Sequence, residues 1–273
     1  MPELQNRIEE LWERRDLLTT SDADAFAVVR NAIDLLDRGE ARVAEVDPAT
    51  DDVIVHQWLK QAILLLFKLS AMETVESGPF EYHDKIPLKR DHAAAGVRAV
   101  PGSVVRWGAF LDRGVILMPS FVNIGARVGA DTMVDTWATV GSCAQIGAGT
   151  HLSGGVGIGG VLEPPQAAPV MVGDRCLIGS RCMVVNGARV GDESVLGAGT
   201  ILTGNLPVID AETGEEVSRG IVPPRCVVVY ATRPKKFGGG EFGLPCALII
   251  RRLEPGERQH LNEILRESEV AVE

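Results

Sequence analysis

One aspartate stands at an unusual place in a glycine-rich stretch. Asp135 follows Val134 at a position where similar stretches nearby carry glycine, and Trp137 comes two residues later. A carboxylate beside a bulky aromatic ring is partly desolvated and becomes a usable base. The alternative is a corner aspartate that only hydrogen-bonds its own turn. Residue type and position leave both interpretations open.

A histidine and several arginines are the next candidates for chemistry. His151 is the single histidine of the central part of the sequence, and it suits either a base or an ordinary surface side chain. Arg98, Arg106 and Arg113 lie where that central part begins. Guanidinium groups bind carboxylates through paired hydrogen bonds, although each arginine alone also suits a solvated surface charge.

A basic cluster lies near the C-terminus of an acidic chain. Arg233, Lys235 and Lys236 precede three glycines, while the net charge of the whole chain is -10. Such a cluster suits a phosphate-bearing ligand, and a solvated loop is the alternative. The stretch 155–160 resembles a phosphate loop by eye, but no helix follows it to supply a dipole. We interpret its glycines as part of a repeat.

A six-residue repeat must position these groups. Apolar residues recur at every sixth position, small residues usually follow four positions later, and glycine often follows directly. The first run is Val104, Phe110, Ile116, Val122, Val128, Val134, Val140, Ile146, Leu152 and Ile158, and the second is Val172, Ile178, Val184, Val190, Leu196 and Leu202. Because six is even, a short strand and a tight corner turn the same position inward each time. The repeat predicts a parallel β-helix whose stability accumulates between stacked coils.

The segments that flank the repeat predict a division into three parts. Residues 1–100 show the apolar spacing of amphipathic helices, and we expect this domain to cover one open end of the β-helix. Residues 101–222 form the β-helix, with insertions at 160–171 and 204–220 that we expect to be functional. Residues 223–273 form a small α/β cap that ends in a helix from about 255 to 266.

Composition argues against several classes of protein. The negative charge and the lack of a basic stripe argue against a nucleic-acid partner, and no apolar run is long enough to span a bilayer. The N-terminus lacks the features of a signal peptide, so a cytoplasmic protein is expected. The five cysteines are scattered without CxxC spacing, which argues against disulfides and against a metal site.

Stretches along essentially the whole chain resemble bacterial tetrahydrodipicolinate N-succinyltransferases of lysine and diaminopimelate biosynthesis. The most specific are TMVDTWATVGSCAQIG at 132–147 and HLSGGVGIGGVLEP at 151–164, supported by GVRAVPGSVVRWGAF at 96–110 and LMPSFVNIGA at 117–126. The resemblance implies a mainly β protein with a left-handed parallel β-helix. It also implies a homotrimer with active sites between subunits. The implied reaction moves succinyl from succinyl-CoA to the amine of the L-2-amino-6-oxopimelate form of the substrate.

The resemblance also implies residue roles. The substrate-contacting arginine and aspartate of the family match Arg98 and Asp135, which would bind a carboxylate and act as base or orient the amine. Lys235, Lys236 and Gly199 are expected to bind the acyl-CoA co-substrate. Backbone amides of the coils would stabilise the oxyanion. Transfer is expected to be direct, with no permanently bound cofactor, because the sequence pairs no serine or cysteine with an orienting histidine.

Three departures from the family pattern leave an alternative open. Met183 and Asn186 replace two acidic residues in a stretch that usually resembles RSEVVEG. The usual QST and SGNLPS segments are replaced at 203–207 and 230–235. An acetyl-CoA-dependent paralogue acting on a related amino-diacid, of the tabtoxin type, would fit these changes.

Functions of other classes fit the sequence less well. A nucleotide-sugar acyltransferase with His151 as base is a further alternative. A carbonic-anhydrase-like enzyme would need three histidines on one zinc, and a purely structural β-helix would favour uninterrupted coils.

Overall fold

The computed structural model describes residues 1–257, so most of the helix expected from about 255 to 266 lies outside the described residues. Three helices lie near the N-terminus: α1 (Pro2–Glu13), α2 (Ala23–Asp37) and α3 (Gln57–Leu69), with a 3-10 turn at Arg15–Leu17. Their apolar stripes meet in one core, in which Ile8, Ile33 and Ile63 are fully buried. This confirms the amphipathic helices expected from the sequence.

Short strands make up most of the remaining chain. The strands that precede the coils are β1 (Ala44–Val46), β2 (Val53–Val55), β3 (Glu73–Ser77) and β4 (Phe80–Asp84). The later strands are β5 (Arg98–Ala99), β6 (Val104–Val105), β7 (Phe110–Leu111), β8 (Ile116–Leu117), β9 (Phe121–Val122), β10 (Arg127–Val128), β11 (Met133–Val134), β12 (Thr139–Val140), β13 (Gln145–Ile146), β14 (His151–Leu152), β15 (Gly157–Ile158), β16 (Met171–Val172), β17 (Leu177–Ile178), β18 (Met183–Val185), β19 (Arg189–Val190), β20 (Val195–Leu196), β21 (Ile201–Thr203), β22 (Pro207–Asp210), β23 (Glu216–Arg219), β24 (Ile221–Val222), β25 (Cys226–Phe237) and β26 (Gly240–Arg252).

The coil strands form three parallel sheets, which are the faces of a triangular β-helix. Face 1 contains β5, β8, β11, β14, β17 and β20, and it continues into β25. Face 2 contains β6, β9, β12, β15, β18 and β21, and face 3 contains β7, β10, β13, β16, β19 and β24. Each strand pairs with strands of the adjacent coils in parallel register, as Met133 does with Ile116 and His151. The parallel β-helix predicted from the six-residue repeat is therefore confirmed.

The repeat has one shift of phase that counting did not reveal. From Val122 onward the residues predicted to point inward are buried. In the first three units the buried residues are instead Val105, Leu111 and Leu117, each one position after the expected residue. One residue fewer separates Leu117 from the next small inward residue, Ser120, and this restores the expected phase at Val122. The shift is invisible in the sequence because positions 104–105, 110–111 and 116–117 are all apolar.

The N-terminal domain does not cover an open end of the β-helix as expected, but packs along its side. Ile124 and Cys143, at the corner between faces 2 and 3, are buried in the core of the helical domain. Arg42 donates a hydrogen bond to Gln145 on face 3. On the same face Arg189 forms an ion pair with Asp51, and its strand β19 lies four strands away from β7. Apolar corner residues and outward polar residues of face 3 provide this surface, whereas an end of the coil offers only one turn of core.

The insertions and the C-terminal part have distinct structures. The first insertion joins β15 to β16 and contains a cis peptide bond between Glu163 and Pro164. The second contains the hairpin β22–β23, whose first strand also pairs in parallel with β26. The described part of the cap is the long antiparallel hairpin β25–β26, which joins face 1 through Val227 opposite Val195.

Candidate active site along one edge of the β-helix

The edge between faces 1 and 2, called here edge 1–2, carries the candidate groups. In successive coils its corner residues Trp137, Gly155, Arg181 and Gly199 have φ values of 60°, 71°, 59° and 73°. Each backbone N–H donates to a carbonyl of the preceding coil, with Pro119 accepting from Trp137 at 2.7 Å. The corners therefore form a regular column. A position just before the corner of one coil lies beside the same position of the neighbouring coils.

Asp135 directly follows β11 and lies two residues before the Trp137 corner. Its backbone N–H donates to the Leu152 carbonyl at 2.9 Å, which fixes it in the ladder of face 1. Carboxylate Oδ1 accepts the Thr136 N–H at 2.6 Å, and Oδ2 lies 3.5 Å from His151 Nε2. Asp135 is thus a corner residue bonded to its own turn, and its second oxygen faces another titratable group. Its role as a base stays a prediction.

Arg98 lies on the same face as Asp135, at a distance suited to one small ligand. It occupies the outward position that recurs as Ile116 and Met133 in the next two coils. Two strand spacings put the Arg98 and Met133 Cα atoms about 10 Å apart. The Arg98 side chain is exposed and forms no hydrogen bond or ion pair with any residue that the structure describes. A molecule with a carboxylate and an amine several carbons apart can reach both Arg98 and Asp135.

Trp137 presents an exposed indole beside Asp135. Its side chain is 76% exposed, and its backbone adopts a left-handed conformation that costs a residue with a Cβ about 1 kcal/mol or more. The same left-handed φ recurs at the other corners of the column, so the exposed indole and not the backbone distinguishes this corner. The geometry fits a contact with a ligand or with another protein surface.

The residues expected to bind acyl-CoA lie farther from Asp135. Gly199 is on edge 1–2, three coil spacings or about 14 Å from Trp137. Lys235 and Lys236 lie in the outer part of the hairpin β25–β26, which projects beyond this edge because β25 runs parallel to β20. Both are exposed, and Lys235 Nζ lies 5.6 Å from the Phe237 ring centroid. Their role in binding acyl-CoA stays a prediction.

Met183 lies on face 2 beside edge 1–2 and makes this part of the site apolar. Its side chain is 41% exposed and covers Gly157 so closely that a Cβ there would lie 2.5 Å from the sulfur atom. Ile201, the next residue of the same ladder, is also exposed. Asn186 lies on the next corner, between faces 2 and 3. The two departures from the family pattern are therefore on different edges, and Met183 lies beside the edge that also carries Asp135, two coils further along.

Sequence reasoning missed two features of this edge. The first is the pairing of His151 with Asp135, which the repeat itself could have revealed. One coil contains three six-residue units, so His151 must stack on Met133, two residues before Asp135. The second is Arg181, whose exposed side chain lies between Gly155 and Gly199 on the corner column.

Possible metal ligands and thiols are the remaining groups to consider in residues 1–257. This part of the chain contains no group of three or more His, Cys, Asp or Glu side chains that could hold a metal ion. All five cysteines are buried, and burial raises the pKa of the Cys143 thiol to about 12. None of the described helices is long and apolar enough to cross a membrane.

Comparison with known proteins gives the family. The profile of the tetrahydrodipicolinate N-succinyltransferase N-terminal domain matches residues 3–69, and that of the succinyl-transferase hexapeptide repeat matches residues 169–204. A 2,3,4,5-tetrahydropyridine-2,6-dicarboxylate N-succinyltransferase of Methylorubrum extorquens is 46% identical over 278 residues, covering 97% of this chain and 98% of the relative. The chain belongs to the tetrahydrodipicolinate N-succinyltransferase family.

A second curated relative matches over nearly its full length, and one solved structure shares the fold. The enzyme of the same name from Dechloromonas aromatica is 45% identical over 272 residues and covers 96% of this chain and 98% of its own. A crystal structure of a putative 2,3,4,5-tetrahydropyridine-2-carboxylate N-succinyltransferase from Campylobacter jejuni superposes with a TM-score of 0.50 at 20% identity, covering 85% of this chain and 63% of the other. That structure supports the fold.

Proposed function

We propose that this protein transfers the succinyl group of succinyl-CoA to the amine of tetrahydrodipicolinate in its acyclic L-2-amino-6-oxopimelate form. The reaction belongs to lysine and diaminopimelate biosynthesis. The observation that carries the proposal is the near-full-length identity of 46% with a succinyltransferase of this substrate, since all the predicted elements of the site lie within the aligned length. The placement of Arg98 and Asp135 on one face supports it.

We expect each side of the acceptor to have its own partner. The exposed Arg98 guanidinium binds a carboxylate of the acceptor through paired hydrogen bonds. The other end of the acceptor then reaches edge 1–2, where the Asp135 carboxylate holds the amine. Lys235 and Lys236 would bind phosphates of the acyl-CoA, and the open corner at Gly199 would let its chain approach the backbone. The thioester would then lie along edge 1–2.

A homotrimer with sites between subunits completes the proposed site. Arg98 is exposed and Trp137 is 76% exposed, so one chain alone leaves the reacting groups in water. Acyl transfer to an amine is favoured where water is excluded. A second copy packed against edge 1–2 would exclude it. We propose that the trimer acts in the cytoplasm with no permanently bound cofactor.

Met183 supports a second candidate function with a different acyl donor. An exposed methionine and an exposed isoleucine beside the edge provide no charge to interact with the free carboxylate of a succinyl group. An apolar surface suits the shorter acetyl group. The alternative is therefore an acetyl-CoA-dependent enzyme that acts on a related amino-diacid.

A thiol-release assay on the purified protein tests both candidates. It offers tetrahydrodipicolinate with succinyl-CoA and, separately, with acetyl-CoA, and Asp135→Asn serves as the inactive control. Turnover with succinyl-CoA that Asp135→Asn abolishes is the expected result. A clear preference for acetyl-CoA would favour the second candidate, and Met183→Glu would then be expected to restore use of succinyl-CoA. No release of thiol with either donor would contradict both.

A further inference from the structure

The imidazole of His151 has one nitrogen in an unusual environment. Nε2 is completely covered by protein, yet it forms no hydrogen bond with any of residues 1–257. The Asp135 carboxylate faces it, with Oδ2 at 3.5 Å. A buried polar atom without a partner is unfavourable. A small movement of either side chain would therefore form a hydrogen bond between Nε2 and Oδ2.

The carboxylate of Asp135 is divided between two neighbours. Oδ1 accepts hydrogen bonds from the Thr136 N–H at 2.6 Å and from the Thr136 hydroxyl at 3.3 Å. Oδ2 is left to face the imidazole. The backbone fixes this division, because Met133 and His151 are direct partners in neighbouring parallel strands and Asp135 follows two residues later. Asp135 is thus placed to accept a hydrogen bond from Nε2–H.

The same contact determines which ring nitrogen of His151 is available to a ligand. An imidazole that donates Nε2–H to a carboxylate keeps its lone pair on Nδ1. The His151 side chain is 38% exposed while Nε2 is covered, so the exposure belongs to the rest of the ring. The geometry provides a base that faces solvent and is oriented from behind by a carboxylate.

We propose that His151 is the proton acceptor for the acyl transfer and that Asp135 orients it. The proposal rests on the proposed function, and it changes the role of Asp135 from holding the amine to orienting the imidazole. As the amine nitrogen of the acceptor attacks the thioester carbonyl, Nδ1 of His151 takes the proton that the nitrogen loses. The C–N bond forms and the C–S bond breaks. The departing CoA thiolate takes the proton from the imidazolium, which gives an amide and a free thiol.

Kinetics of matched variants test the assignment. His151→Ala and His151→Gln are expected to lower kcat about 100-fold or more with less than a threefold change in KM for the acceptor. His83→Ala, on the exposed hairpin β3–β4, is the control for the loss of a histidine and should have wild-type rates. Added imidazole is expected to raise kcat of His151→Ala at least tenfold and to leave Asp135→Asn unchanged. A structural role for His151 would not respond to imidazole.

A measurement that does not depend on turnover separates this proposal from the proposed function. In protein labelled with ¹⁵N-histidine, the His151 signals are expected to show the Nε2–H tautomer, and Asp135→Asn should shift its tautomer balance. If both His151 variants keep more than a third of the wild-type kcat, the base assignment is wrong and the succinyltransferase activity stands. An Nδ1–H tautomer would overturn it as well. A wild-type protein with no acyl transfer at all would refute both proposals.

Discussion

The ammonium of Lys60 lies 2.8 Å from the carbonyl oxygen of Ala167, and it connects helix α3 to the first insertion of the β-helix. Lys60 is fully buried, and Pro164 provides a second, longer carbonyl contact at 3.4 Å. Burial away from water lowers the pKa of Lys60. A buried ammonium held by carbonyls is costly to place, and it fixes the segment that supplies those carbonyls.

Lys60→Met is therefore expected to loosen the first insertion with little change in overall stability. The substitution removes a desolvated charge, which favours folding, and leaves the Pro164 and Ala167 carbonyls without their donor. Amide hydrogen exchange within 160–171 should become faster, while the melting temperature changes by only a few degrees. Lys68→Met, at an exposed position of the same helix, is the control and should leave exchange unchanged. Equal protection of the insertion in both variants would show that the contact does not hold it.

Arg98→Gln is expected to weaken acceptor binding far more than donor binding. A hydrogen-bonded guanidinium–carboxylate contact is worth about 1.5–3 kcal/mol, so KM for the acceptor should rise about tenfold or more. KM for succinyl-CoA should stay within twofold, because the expected donor site lies at the other end of edge 1–2. Steady-state kinetics with each substrate varied in turn measure both values. Arg113→Gln is the control, because it removes an exposed arginine at the corner between faces 3 and 1 and not on strand β5. An equal rise of both constants would place Arg98 outside the acceptor site.

Asp210→Asn is expected to reduce stability at neutral pH but not in acid. Arg252 on β26 donates to Asp210 at 2.9 Å, and this bond with the Glu212 N–H holds the pKa of Asp210 below its usual value. A carboxyl group with a lowered pKa stabilises the folded state above its unfolded pKa of about 3.9, and the effect is lost as pH falls through the folded value. Melting curves of both proteins should differ at pH 7, begin to converge below about pH 4 and coincide once pH lies below the folded pKa. A difference that persists in acid would indicate lost packing instead.

The sequence could predict the β-helix because its main signal is local. Each six-residue unit repeats the same inward aliphatic residue, so residues such as Val134 and Leu152 reveal their burial by position alone. The phase shift near Leu117 was hidden because two adjacent apolar residues can exchange places without changing the pattern. The predicted position of the N-terminal domain was wrong for a different reason. It depends on contacts between residues far apart in the chain, such as Arg189 and Asp51, and no periodicity encodes such contacts.

The candidate site shows the same limit. Arg98 and Asp135 are predicted as site residues by resemblance alone, and the strand register places them on one face. The contact of Asp135 with His151 depends on side-chain conformations across two strands, and the sequence offered His151 only as a separate candidate. Long-range placement is also the reason that Lys235 and Lys236 remain predictions, since the hairpin that carries them projects away from the coils.

Two glycine substitutions separate the steric demands of the coil from those of the ligand. At Gly141 an added Cβ would lie 2.2 Å from the backbone nitrogen of Gly160, and neither backbone can move without breaking the stack. At Gly199 an added Cβ meets nothing within 4 Å, and only the φ of 73° opposes it. We expect Gly141→Ala to lower the free energy of unfolding by about 3 kcal/mol. Gly199→Ala should cost about 1 kcal/mol.

The Gly199→Ala variant also tests the donor site. Because the corner at Gly199 is open in the free protein, a methyl group there should impede only what binds to it. The KM for succinyl-CoA is expected to rise about fivefold or more in Gly199→Ala. This rise corresponds to a loss of about 1 kcal/mol of binding free energy, the size of one buried apolar contact. Chemical denaturation followed by circular dichroism measures the stabilities, and initial rates measure the KM. If Gly199→Ala binds succinyl-CoA as well as the wild type does, the donor does not approach the backbone at this corner.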